Sequence, residues 1–261
     1  MSLSFLEKVL FLIERYYPLF LSGMATTMLI AITGTVAGFV IGLVVAVIRT
    51  IPVSEHDSKF KKIALAIVKF ICVAYIEVFR GTPMMIQAAV FYYGIFMGVN
   101  IDLTLAAFVI VSINTGAYMA EIIRGGIISI DKGQTEGAYS IGMNHRQTMT
   151  SVVLPQAIRN IMPSVGNEFV VNIKDTSVLN VIGVAELYFQ SRSAAGTYAM
   201  AFQSFTIAAV IYFFLTFIVT RILRLIERRM DGPKSYVIYG SQTNPDAEIR
   251  IKKGGARNGR Y

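Results

Sequence analysis

Residues 131–155 read DKGQTEGAYSIGMNHRQTMTSVVLP and form a polar island between long apolar runs. Asp131 can cap the start of a short helix, with Gln134 at its third position, in a pattern close to a capping box. Gly142 can supply the left-handed residue that ends this helix. The first half of the island therefore predicts a short helix that stops at a glycine.

The second half of the island carries its own start and stop signals. Asn144 lies three positions before Gln147, which is the spacing of a second helix cap, and Pro155 would end the helix that follows. The island thus predicts two short helices that meet at a glycine corner, between two membrane segments. A loop that only connects two segments would not need so much local specification.

The composition places the chain in a membrane. Its 261 residues are 54% hydrophobic, and the mean hydropathy is +0.58. The apolar runs are long enough for helices of about 20 residues, and none alternates as the strands of a membrane barrel do. We therefore predict an all-α membrane protein.

The distribution of charge argues against a nucleic-acid-binding protein. The net charge is +8, but the basic residues cluster in a few connections and in the tail, as they do on the cytoplasmic side of membrane proteins. Cys72 is the only cysteine and lies in an apolar run, and the two histidines are far apart. The sequence therefore predicts no intrachain disulfide and no metal site.

Five membrane spans account for the hydropathy pattern. Residues 1–18 mix apolar and charged side chains, and we expect them to form a helix in the membrane interface, with Pro18 as its boundary. Residues 19–230 form the transmembrane domain, and 231–261 form a basic cytoplasmic tail that we expect to be mobile. Basic connections place the amino terminus outside and the carboxyl terminus in the cytoplasm. The predicted spans are 19–48, 70–97, 103–123, 158–179 and 201–225.

The second span can be divided in two ways. Residues 63–78 and 84–97 could form two spans, or a single helix could run from about Phe70 to Met97 with a break near Pro83. Two spans would place the basic residues that follow outside the cell, and 84–97 is short for a crossing. We therefore predict one span that is broken inside the bilayer.

Three glycines of the first span recur at every fourth position, namely Gly34, Gly38 and Gly42. Such a row of small residues lets another helix approach closely. The partner helix could belong to a second copy or to the same chain, and we favour the same chain.

Charged residues inside a membrane normally face a bundle interior or a cavity, because exposing them to lipid costs free energy. Glu168, Asn172 and Asp175 share one stripe of the fourth span, and Glu77 and Arg80 are three apart and could pair. These groups could hold helices together or line a path for a small polar solute, where Asp175 could meet an ammonium and Arg80 a carboxylate. The candidates for the path are Asp175, Thr176, Glu168, Asn172, Glu77, Arg80 and Thr82.

An enzymatic function is not indicated. The sequence has no Walker A sequence, no His-Glu-x-x-His and no Gly-x-Ser-x-Gly. Energy for transport would therefore come from another subunit or from a gradient.

The polar island resembles the EAA motif of ABC importer permeases, Glu-Ala-Ala-x3-Gly-x9-Ile-x-Leu-Pro. The spacing matches throughout, with Gly137 in place of an alanine and Val152 in place of an isoleucine. Gly137 weakens helix propensity slightly. The resemblance assigns contact with an ATPase to Glu136, Gly137, Ala138, Gly142, Leu154 and Pro155.

Flanking segments narrow the resemblance to the polar amino acid uptake permeases, a group that includes histidine, arginine and glutamine permeases. It covers roughly residues 15–230. The segments are YIEVFRGTP (75–83), YMAEIIRGGI (118–127), PQAIRN (155–160), GNEF (166–169) and KDTS (174–177).

The resemblance implies a type I ABC importer fold with two cytoplasmic coupling helices in a bacterial inner membrane. Its partners would be an ATPase dimer that binds the ATP, a second permease subunit, and an extracytoplasmic binding protein that delivers an amino acid. Glu136 would pair with a basic group of the ATPase. The rival functions are a permease for another small solute and a membrane scaffold or sensor that moves nothing. Which amino acid is carried, and whether the second permease is identical, stay open.

Overall fold

The computed structural model describes residues 4–55 and 57–230, and no strand occurs in these two ranges. The predicted all-α class is confirmed. The predicted tail, 231–261, lies outside the described residues. The α-helices in the described ranges are α1 (Phe5–Thr50), α2 (Lys59–Gly81), α3 (Met84–Phe91), α4 (Leu103–Ile128), α5 (Lys132–Ser140), α6 (His145–Thr148), α7 (Leu154–Asp175), α8 (Leu187–Tyr198) and α9 (Ala201–Met230).

Shorter helical turns extend or connect these helices. A π-helical turn at Tyr92–Phe96 and a 3₁₀ turn at Met97–Val99 extend α3. A second π turn, Met149–Val153, joins α6 to α7, and a 3₁₀ segment, Thr176–Ile182, follows α7.

Within the described ranges, three helices are long and apolar enough to cross a membrane, namely α1, α4 and α9. The helical run Met84–Val99 is apolar but shorter. The remaining predicted spans involve α2, which begins with several lysines, and α7, which is rich in polar residues. The count of five spans therefore stays a prediction.

The first helix differs from the expectation. We predicted a boundary at Pro18, but α1 is one helix of 46 residues, about 69 Å long at about 1.5 Å per residue. Pro18 is exposed, while Leu12 and Phe20 on either side of it pack against Leu187 and Ile207. This packing offsets the local cost of proline, about 3 kcal/mol. Whether residues 5–18 lie in the membrane interface stays a prediction.

The glycine row of α1 lies against α4 of the same chain. Gly34 faces Val111, Gly38 faces Thr115, and Gly42 faces Met119. The favoured alternative, packing within one chain, is confirmed. Close packing of α1 on α4 forms the framework of the bundle.

Replacing Gly42 with alanine is expected to lower the free energy of unfolding by about 1–3 kcal/mol, as overpacking does. The new Cβ would lie 2.7 Å from the amide nitrogen of Ala120, so the two backbones would have to separate. Thermal unfolding in detergent measures the effect. Gly125→Ala in α4 is the control, because no atom lies within 4 Å of its Cβ position. Equal stability of the two variants would contradict tight packing of α1 on α4.

The second span breaks where the sequence predicts. Helix α2 ends at Gly81 and α3 begins at Met84, although α2 starts earlier than expected, at Lys59. Gln87 Nε2 donates hydrogen bonds to the carbonyls of Phe79 and Thr82, both at 2.9 Å. It thereby satisfies carbonyl groups that the break leaves without helical partners.

Candidate functional site

The glycine corner forms as the sequence predicts. Asp131 caps α5, and its Oδ1 accepts from the amide of Gly133 at 2.6 Å. Gly142 has φ +83°, a left-handed conformation that favours glycine. The amides of Gly142 and Met143 donate to carbonyls of Tyr139 and Ala138 at 2.9 and 3.1 Å, which is a Schellman motif.

The start of the second short helix is confirmed, but its predicted end is wrong. Asn144 and Gln147 exchange the two hydrogen bonds of a capping box, at 2.9 and 3.0 Å. Pro155 does not end this helix, because the π turn Met149–Val153 leads directly into α7. Pro155 lies in the first turn of α7, where its missing amide hydrogen is tolerated. The corner is therefore continuous with α7.

The six residues assigned to ATPase contact do not share one environment. Glu136, Gly137 and Gly142 are exposed at the corner, and so is Pro155 at the start of α7. Ala138 is only 5% exposed, and Leu154 packs against a buried cluster that includes Met119 and Ile161. Ala138 and Leu154 therefore hold the corner in place rather than offering surface.

The corner also exposes apolar side chains that the sequence reading missed. Ile141 is 79% exposed and Tyr139 is 45% exposed. The sequence did carry a signal for this surface, because Ile141 is an apolar residue next to the turn glycine Gly142 in an otherwise polar stretch. The Glu136 carboxylate makes no ion pair with any residue that the structure describes. The corner therefore presents a free carboxylate beside an apolar knob.

Asn172 is placed inside the bundle, not on an open path. It is 3% exposed, donates to Thr35 Oγ1 at 2.8 Å and accepts from Thr115 Oγ1 at 3.1 Å. These bonds join α7 to α1 and α4. The expectation that Asn172 faces a solute does not fit this geometry, because both ends of its amide are occupied by other helices.

Replacing Asn172 with alanine is expected to lower the free energy of unfolding by about 1–3 kcal/mol, because two buried hydroxyl groups lose a partner. Solute preference is expected to stay unchanged. Thermal unfolding in detergent and competition between solutes in uptake assays measure the two quantities. Asn167→Ala, at an exposed position of α7, is the control. A changed solute preference at unaltered stability would indicate that Asn172 does contact the solute.

The two threonines of the candidate set also serve the fold. Thr176 is fully buried, and its hydroxyl donates to the Ile173 carbonyl at 2.9 Å. Thr82 donates to the Val78 carbonyl at 2.7 Å and accepts from Gln87 at 2.8 Å. Both hydroxyls thus stabilise helix ends that lie beside the charged candidates.

The pair that Glu77 and Arg80 could form by their spacing is not present. No ion pair joins them in the part of the chain that the structure describes. The Arg80 guanidinium instead lies over the ring of Tyr118 in α4, 5.5 Å from its centroid. An aromatic face on a neighbouring helix therefore contacts Arg80 in a cation–π interaction, and the guanidinium forms no salt bridge with any residue that the structure describes.

Glu168 and Asp175 share one side of α7 and are both half-buried. Asp175 and Arg80 lie near enough to Glu168 to act on its charge, and Lys174 lies near enough to act on that of Asp175. Within the described ranges neither carboxylate forms a salt bridge. The structure thus brings Arg80, Glu168 and Asp175 into one electrostatic neighbourhood, which we call the charged triad.

Two structural carboxylates were not given a role by the sequence reading. Glu121 binds both Arg49 and Arg124, the latter at 2.8 Å, and so joins the ends of α1 and α4. Glu186 is fully buried and caps α8, accepting from the amide of Phe189 at 2.7 Å and from the Tyr212 hydroxyl at 2.8 Å. Glutamate is not among the residues that usually cap helices, so the sequence carried no signal for this role.

A metal centre is not indicated by the described residues. They contain no group of three or more His, Cys, Asp or Glu side chains that could hold a metal ion. The charged triad mixes one guanidinium with two carboxylates. This combination matches the two ends of a zwitterion.

Comparison with known proteins agrees with the architecture. The family described as "Binding-protein-dependent transport system inner membrane component" matches residues 64–232. The glutamine transport system permease protein GlnP of Escherichia coli K12 is 37% identical over 218 residues, 82% of this chain and 93% of that protein. The arginine transport system permease protein ArtQ of Bacillus subtilis is 34% identical over 217 residues, 82% of this chain and 93% of that protein.

Solved structures show the same fold. The crystal structure of an amino acid ABC transporter with histidines superposes with a TM-score of 0.73 at 37% identity, covering 88% of this chain and 100% of that one. An inward-facing structure of the MetNI methionine ABC transporter gives 0.68 at 20% identity, over 83% and 98% of the two chains.

The helical bundle and its exposed corner define a permease subunit of an ABC importer, a multi-pass protein of the inner membrane. The chain belongs to the family of binding-protein-dependent transport system inner membrane components. Membership implies an ATPase partner and a solute-binding protein.

Proposed function

We propose that this chain, together with a second permease subunit, forms the membrane path of an ATP-driven importer for polar or charged amino acids, including basic amino acids or glutamine. The charged triad carries the proposal. Arg80 offers a guanidinium above Tyr118, and Glu168 and Asp175 offer half-buried carboxylates, all without ion-pair partners in the described ranges. Relatives named for glutamine, arginine and L-cystine transport support the solute class.

The chemistry of the triad suits an amino acid. The Arg80 guanidinium would bind the carboxylate in a charge-assisted contact, and Asp175 or Glu168 would bind an ammonium group. Unpaired charges inside a membrane cost free energy. A zwitterionic solute that binds both the guanidinium and a carboxylate of the triad would offset part of that free energy. A basic side chain would bring an additional cation to the two carboxylates.

The corner would receive the motion of the ATPase. We place α5 and α6 in the cytoplasm, with the amino terminus of the chain outside and the carboxyl terminus inside. Glu136 and the exposed Ile141 would dock on the ATPase dimer. Because the π turn Met149–Val153 continues into α7, movement of the corner would reach the helix that carries Glu168 and Asp175.

Proteoliposomes that contain the complete complex and its binding protein test the proposal. ATP-dependent accumulation of polar amino acids across a panel of labelled solutes is the expected result. Accumulation of another solute only would support the first rival, and ATP hydrolysis without accumulation of any solute would support a scaffold or sensor. Subunits that copurify in mild detergent would show whether the second permease is identical to this chain.

A further inference from the structure

A groove of about 230 Å³ lies between α7 and α9, and the charged triad does not use it. One row of α9 crosses the groove at helical spacing, from Phe213 through Phe217 to Arg221. Lys174 of α7 closes the opposite side. Lys174 of the KDTS segment therefore lines this groove and also acts on the neighbouring carboxylate of Asp175.

A second row of α9 runs beside the first, from Thr216 through Thr220 to Arg224. The hydroxyls of Thr216 and Thr220 donate to backbone carbonyls one turn earlier, at 2.8 and 2.7 Å. Both rows therefore change from apolar or neutral side chains to a cation along the same direction. The groove is amphiphilic along its length.

The Arg221 and Arg224 guanidinium groups have no ion-pair partner among the described residues, whereas Lys174 lies near the carboxylate of Asp175. No acidic side chain lines the groove, and Lys174, Arg221 and Arg224 form no salt bridge with any described residue. Arg221 lies over the Phe217 ring, 4.8 Å from its centroid, which orients the guanidinium without neutralising it. Two guanidinium groups in a span-forming region, without ion-pair partners among the described residues, favour a bound anion.

The depth of the groove identifies the kind of anion. Arg221 and Arg224 lie in the last third of α9, toward the basic end of an otherwise apolar helix. Phe217 and Phe213, one and two turns deeper than Arg221, are 44% and 61% exposed. A phospholipid has this same order of groups, with a phosphate at the interface and an acyl chain below it.

We propose that the groove binds an anionic phospholipid of the cytoplasmic leaflet, with its phosphate at Arg221 and Arg224 and an acyl chain along Phe213 and Phe217. The site is separate from the charged triad, and its existence does not depend on which solute is carried. A cationic solute would be repelled by the three cations of the groove, which argues against this groove as a second solute site.

Native mass spectrometry of the complete complex tests the site, with phosphatidylglycerol and phosphatidylcholine as probes. Phosphatidylglycerol is expected to bind and phosphatidylcholine is not. Arg221→Gln and Arg224→Gln are each expected to weaken phosphatidylglycerol binding about fivefold. The matched controls are Arg228→Gln and Arg229→Gln, each of which removes the same single charge from the same helix outside the groove and is expected to lose much less affinity.

Three results would overturn the proposal. Equal binding of the two lipids would remove charge recognition, and equal losses in the groove and control variants would indicate bulk surface charge. Protection against thermal unfolding by inorganic phosphate as strong as that by phosphatidylglycerol would indicate a free-anion site. The charge-conserving variant Arg221→Lys/Arg224→Lys separates loss of charge from misfolding. It keeps both positive charges and is expected to retain most of the lipid binding.

Discussion

Replacing Glu136 with lysine is expected to abolish ATP-driven uptake while the chain still folds and inserts. The Glu136 carboxylate is exposed and makes no ion pair with any residue in the described ranges, so reversing its charge removes nothing from the fold. Across the proposed joint with the ATPase it would place like charges together, at a cost of about 2–5 kcal/mol. That cost corresponds to a loss of more than tenfold in affinity. Uptake and ATPase hydrolysis in proteoliposomes, with copurification of the ATPase, measure the effect.

Glu55→Lys is the control for this prediction. It makes the same change at an exposed position in the connection between α1 and α2, away from the corner. Uptake by this variant is expected to stay close to that of the unmodified protein. Normal uptake by Glu136→Lys would remove the corner from the coupling mechanism.

Replacing Asp175 with asparagine is expected to weaken uptake of basic amino acids about tenfold more than uptake of neutral ones. Asp175 and Glu168 are the carboxylates of the charged triad, and removing one negative charge weakens the attraction for an added cation more than that for a neutral side chain. Competition between arginine and glutamine in the same proteoliposomes gives the ratio directly.

Glu77→Gln provides the matched control, because Glu77 is exposed on α2 and forms no ion pair with Arg80 or with any other described residue. Its removal is expected to leave the ratio of basic to neutral uptake unchanged. An equal loss for both solutes in Asp175→Asn would make Asp175 a structural residue.

Local signals in the sequence were reliable where the interaction spans only a few residues. The cap at Asn144, the left-handed Gly142 and the break near Pro83 depend on neighbours within one or two turns, and all three are present in the structure. Pro18 and Pro155 misled for the opposite reason. Helix α1 continues past Pro18 because residues on both sides of the proline pack on α8 and α9. The corner is continuous with α7 because a π turn joins the two.

The polar residues of the spans show a second limit of sequence reasoning. Spacing placed Glu77 beside Arg80 and put Asn172 on the stripe of Glu168, but spacing gives only neighbours on the same helix. The actual partners of Arg80 and Asn172 come from other helices, namely Tyr118 for the first and Thr35 and Thr115 for the second. Which polar residue is free to meet a solute therefore depends on tertiary contacts that a single sequence does not reveal.

The hydrogen bonds of Asn172 restrict how the subunit can alternate between its two states. Sliding α7 past α1 and α4 would break two buried side-chain bonds, at a cost of about 1–3 kcal/mol for each group left without a partner. The glycine contacts of α1 on α4 resist separation in the same region. The subunit is therefore expected to tilt as a single lever, with most of the rearrangement at its boundary with the neighbouring permease.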